Sequence, residues 1–74
     1  MIEDIVDRLV GMDPYDLRDK VAAIDDSKMN PTIYLLIIVI NHLNNNNYWG
    51  MPNHEKAFRQ AVRYFVMFGG VRID

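Results

Sequence analysis

The chain contains no cysteine, so disulfides, cysteine metal sites and thiol catalysis are all excluded. Hydroxyl nucleophiles are nearly missing too: Ser27 is the single serine and Thr32 the single threonine. Histidine occurs twice, as His42 and His54, and neither has the neighbours that a zinc site or a Ser-His-Asp arrangement needs. Gly69-Gly70 follows a helical stretch instead of opening one, which is the wrong order for a phosphate-binding loop. Asp25 and Asp26 are adjacent, not paired across a helix face. These gaps point away from an enzyme, and no catalytic residue, metal or cofactor is expected. Long hydrophobic runs are also lacking. The longest, Ile33 to Ile40, falls short of the roughly 20 residues that span a bilayer. Acids stand at the N-terminus where a signal peptide carries bases, so no membrane and a cytoplasmic setting are expected.

What remains is a short, apolar chain. With 74 residues, 50% of them hydrophobic, it is one globular domain near the lower size limit for a self-sufficient core. A small domain this apolar is expected to share part of its core with a second copy or a partner. Charge is uneven. Residues 1–29 hold eight acids against four bases, a net of −4, and residues 30–74 hold four bases against two acids, a net of +2. This gives an acidic front and a mildly basic back.

The pattern is that of an all-α, four-helix, bundle-like domain. Residues 2–11 place Ile2, Ile5, Val6, Leu9 and Val10 at helical spacing, with Gly11 as a stop that tolerates positive φ. Asp13-Pro14 is a cap followed by a first helical residue, and opens a helix over 14–25 with Leu17, Val21 and Ile24 inward. Asn30-Pro31 repeats that signal for a helix over 31–44. Its β-branched core, Thr32 to Ile40, also fits a buried strand, but the Asn-Pro start, the continuing stripe at Leu43 and the lack of a second strand favour helix. Ile33, Leu36, Ile37, Ile40 and Leu43 form one face. Tyr34, Leu35, Ile38 and Val39 lie on the rest, and are the expected oligomer interface because a helix apolar nearly all round must be covered nearly all round. The asparagine run opens a loop over 45–53. Asn53 is expected to cap a last helix over 54–68, with Ala57, Phe58, Ala61, Val62, Phe65 and Val66 inward and Lys56, Arg59, Gln60 and Arg63 outward. Residues 71–74 form a short extended tail.

Two modes of action follow. A protein partner is the first: Tyr48, Trp49 and Met51 in the loop and the cations Lys56, Arg59 and Arg63 are the residue types enriched at interfaces. Small helical chains of this kind occur among regulators and inhibitors from phage and mobile elements, acting by occluding or bridging another macromolecule. The second mode uses the same residues to bind nucleic acid or a nucleotide, with Tyr48 and Trp49 stacking on bases and Lys56, Arg59, Arg63 and Arg72 gripping phosphates. A helix-turn-helix does not fit, since the third helix is too apolar for a DNA groove.

Overall fold

A computed structural model describes residues 1–24 and 30–69. The tail at 71–74, Arg72 and the helix stop expected at Asp25 to Lys28 lie outside that description. Among the described residues there are four helices and no strand: α1 Ile2–Val10, α2 Pro14–Ala22, α3 Pro31–Asn46 and α4 Pro52–Phe68. Each helix lies where the apolar spacing puts it, α2 and α3 also start at their expected caps Asp13 and Asn30, and the differences sit at the ends. Asp13 accepts from the Tyr15 amide at 2.9 Å, with Pro14 in the first turn. α2 stops at Ala22, with Ala23 as its C-cap, short of residue 25. Gly11 ends α1 at φ −78°, so its freedom to adopt positive φ is not used.

The β-branched stretch is helical. Asn30 decides this locally, because its Oδ1 accepts from both the Thr32 amide, at 3.1 Å, and the Thr32 hydroxyl, at 2.6 Å. α3 runs two residues past Asn44, and Asn47 closes it in the left-handed conformation at φ 57°. The asparagine run therefore supplies helix end and cap, not loop. The connection to α4 shortens to 47–51. α4 starts at Pro52 with Met51 as N-cap, so Asn53 is inside the helix and is not its cap. A proline at the first helical position costs no hydrogen bond, which explains the earlier start.

α3 and α4 run antiparallel. At one end the Asn30 side-chain amide donates to the Gly69 carbonyl at 2.8 Å. At the other the His42 and His54 rings sit 6.0 Å apart. α1 packs on α4 and α2 packs on α3. The core lies between these layers and is wholly apolar: Val6 and Leu9, Leu17 and Val21, Ile33, Leu36, Ile40 and Leu43, and Phe58, Ala61, Val62 and Phe65. Ile24, Ile37 and Val66 are half-buried at its edge. Ile2 and Ile5 are exposed, although they fall on the apolar stripe of α1, because α1 buries Val6 and Leu9 and packs chiefly on α4. Ala57 is exposed as well, turned to the side of α4 away from α1.

Candidate functional site

Arg59 and Arg63 do not stand free on the outer surface. Phe58, Val62 and Phe65 fix the inner face of α4, and a rotation of 100° per residue then carries Arg59 and Arg63 to the flank beside α1. Both are half-buried there. Arg63 forks onto Glu3, with Nε donating to one carboxylate oxygen and Nη2 to the other, both at 2.9 Å. Arg59 pairs with Asp7 and reaches Glu3 at 3.4 Å. Hydrogen bonds from Arg63 do most to hold the Glu3 carboxyl down to about 2, assisted by the charge of Arg63 and by Arg59, and opposed by desolvation. Arg63 is raised by its hydrogen bond to Glu3, and Arg59 chiefly by its hydrogen bond to Asp7. The acidic front and the basic back thus meet inside one molecule, along the α1–α4 seam. Lys56 is exposed, one turn earlier.

The loop aromatics are likewise committed. Tyr48 stacks on His54 at 4.0 Å between ring centres and 18° between planes, with His42 edge-on to it at 5.4 Å. His42 is exposed, and its ring and carbonyl both meet the Asn46 side chain. Trp49 sets its ring edge-on to Phe58 at 5.1 Å, and its indole N–H donates to Asn44 Oδ1 at 2.7 Å. The Asn44 amide nitrogen is buried and has no hydrogen-bond partner. Trp49 is half-buried, and only Met51 of the three loop residues stands exposed, at 47%. Gly50, at φ 90°, donates its amide to Glu55 Oε2 at 2.8 Å. A cleft of about 390 Å³ opens beneath Trp49, lined by Val10, Met12, Pro14, Trp49, Glu55 and Phe58.

The other flank of the molecule is different. On the outer surface of α3, Tyr34, Leu35 and Ile38 are 56%, 41% and 59% exposed. Tyr64, Met67 and Phe68 of α4 are 42%, 47% and 64% exposed. By helical register Leu35 and Ile38 point outward beside the α4 flank that carries Tyr64, whereas Tyr34 lies on the stripe of Asn41, whose Oδ1 accepts from Arg18 of α2 at 3.3 Å. Val39 is half-buried at the seam and packs against the core. Of the four interface residues expected on α3, Tyr34, Leu35 and Ile38 are exposed and Val39 is not, and α4 exposes three more that the sequence pattern had not singled out. A signal for them is present in the sequence. No Asp, Glu, Lys or Arg occurs between Lys28 and Glu55, nor between Arg63 and Arg72. Both helices thus turn uncharged surface outward where solvated helices carry charge.

No helix among the described residues is long and apolar enough to cross a membrane. Among the same residues no group of three or more His, Cys, Asp or Glu is placed to hold a metal ion. The comparisons with known proteins give no matching family model, no matching curated protein and no matching solved structure.

Proposed function

We propose that this chain is a non-enzymatic binding protein that pairs with a second copy of itself through the outer face of α3 and α4, and that the pair occludes or bridges a protein partner. The observation that carries this reading is the set of exposed apolar side chains Tyr34, Leu35, Ile38, Tyr64, Met67 and Phe68, on stretches of α3 and α4 that hold no Asp, Glu, Lys or Arg. A surface without charge of either sign is best matched by another such surface, since no ion then loses its water unpaired. Glu3 and Asp7 of α1 are held on the other flank of α4 by Arg59 and Arg63, so two copies meeting here keep those acids apart. Half-exposed side chains of roughly 150–250 Å² each offer on the order of 600 Å² per copy, most of the about 800 Å² per partner in a standard interface. Tyr34 and Tyr64 place hydroxyls at the rim, where they stay hydrated or bond across the pair.

Binding of nucleic acid or a nucleotide is the weaker reading. The arginines that would grip phosphate already hold Glu3 and Asp7. One face of Tyr48 is covered by His54, so it is not free to stack on both sides.

Size exclusion with light scattering tests the first reading. The wild-type chain is expected to elute as a dimer at tens of micromolar. Ile38→Lys together with Phe68→Lys should give a folded monomer, because both positions are exposed in the single chain. A wild-type monomer at all concentrations refutes self-pairing.

A further inference from the structure

We infer that the cleft beside Trp49 binds a small amphipathic amine, a ligand with a ring-bearing apolar body and one ammonium group. The cleft lies on the α1 side of α4, away from the charge-free face, and the inference does not depend on self-pairing. Its volume of about 390 Å³ lies within the range of roughly 300–1,000 Å³ typical of small-molecule pockets.

The walls define the body of the ligand. Val10 and Met12 come from the end of α1 and the turn after it, Pro14 from the start of α2, and Trp49 and Phe58 from the far side. Trp49 meets Phe58 edge-on, which fixes the ring wall. Its indole N–H is already given to Asn44, so the wall offers aromatic surface and no indole donor.

Glu55 defines the head. Among the described residues it is the one charged side chain lining the cleft, and it is an acid. The Gly50 amide holds its Oε2 at 2.8 Å, and Gly50 reaches that position through φ 90°, a conformation that a side chain would strain. The carboxylate is therefore placed before any ligand arrives. Arg59, one turn further along α4, is paired with Asp7 and Glu3 and is not spent on neutralising Glu55. A carboxylate on an apolar aromatic cleft favours a cation twice, through its own charge and through the ring faces. An anion would meet repulsion and no donor side chain.

The probes are 2-phenylethylamine and its acidic counterpart 3-phenylpropionate, titrated into the full chain. Trp49 is the only tryptophan, so its fluorescence and its indole N–H resonance report the cleft alone. A ligand this small is expected to bind at about millimolar affinity. The amine should shift both signals saturably, and the acid at equal concentration should not. Glu55→Gln keeps an acceptor for the Gly50 amide and removes the charge, so it should weaken the amine at least tenfold while melting like wild type. No saturable shift with the amine, equal shifts with amine and acid, or unchanged amine binding in Glu55→Gln would each overturn the inference. The two-probe contrast needs no variant, so it decides the matter even if Glu55→Gln folds poorly.

Discussion

The two flanks of α4 solve the same problem in opposite ways. On one flank Arg59 and Arg63 lie against Glu3 and Asp7, and α1 is held by charge above its apolar contacts at Val6 and Leu9. On the other, Tyr64 and Phe68 run beside Leu35 and Ile38 of α3 with no charge in either helix stretch and no helix covering them. The paired charges are internally satisfied, so Arg59 and Arg63 have little left to offer an anionic ligand. The bare flank is not satisfied within one chain, and that is where a partner gains most. A count of cations and aromatics along the sequence points to the first flank; the contacts shift attention to the second.

The largest expected effect comes from removing the wedge between the flanks. Phe65 is 1% exposed and sits on the inner face of α4. Phe65→Ala should cost about 3–5 kcal/mol, a large share of the roughly 5–15 kcal/mol that stabilises an ordinary domain. Thermal melting by circular dichroism measures it. A loss no larger than that of an exposed change would mean that α4 is not held by its inner face, and both flanks would need another explanation.

Next comes a direct exchange of the flanks. Reversing Arg59 and Arg63 to Glu looks harmless from the sequence, where both face outward. In the structure it sets four carboxylates along the α1–α4 seam, and the melting temperature should fall clearly. Tyr64→Lys, on the bare flank of the same helix, should leave the melting temperature of the monomer close to wild type, since exposed changes usually stay within about 0.5 kcal/mol. Equal effects of the two changes would erase the distinction between the flanks.

The smallest effect is the acid-side slope of stability. Glu3 is held down to about 2, below its ordinary value of 4.5, mainly by hydrogen bonds from Arg63. A carboxyl lowered by folding adds stability above its unfolded value, and that stability is lost as pH falls from about 4.5 towards 2. The pair is solvated, so the contribution is modest. Glu3→Gln should lower the melting temperature modestly near pH 7, and the difference from wild type should shrink as pH falls from about 4.5 towards 2, which flattens the acid-side slope. An unchanged acid-side slope would show that the seam is not held through Glu3.

Much of the fold is legible in the sequence because caps and periodicity are local. Asp13-Pro14 and Asn30-Pro31 mark their helix starts, and the core positions of α3 follow from spacing alone. The ends of α3 and α4 are less so. Asn47 takes the left-handed conformation that any of the preceding asparagines also tolerates, and Pro52 competes with Asn53 for the start of α4. The site is least legible, because it depends on which flank of α4 each neighbour covers. Ile2, Ile5 and Ala57 are apolar at plausible inward positions, yet they are exposed because none of the described helices covers them. Arg59 and Arg63 are paired across more than fifty residues of sequence, and no local pattern reveals such a contact.

The central claim is that the uncharged α3–α4 face, and not the charged seam, is where the chain associates. Sedimentation equilibrium of the wild-type chain at low and high salt tests it most directly. Apolar pairing is not screened by salt, whereas association through charges weakens as the Debye length shrinks from about 30 Å at 0.01 M to 3 Å at 1 M. The account predicts a dimer whose dissociation constant stays level or falls as salt rises. A dimer that comes apart with salt, or a monomer throughout, would contradict it.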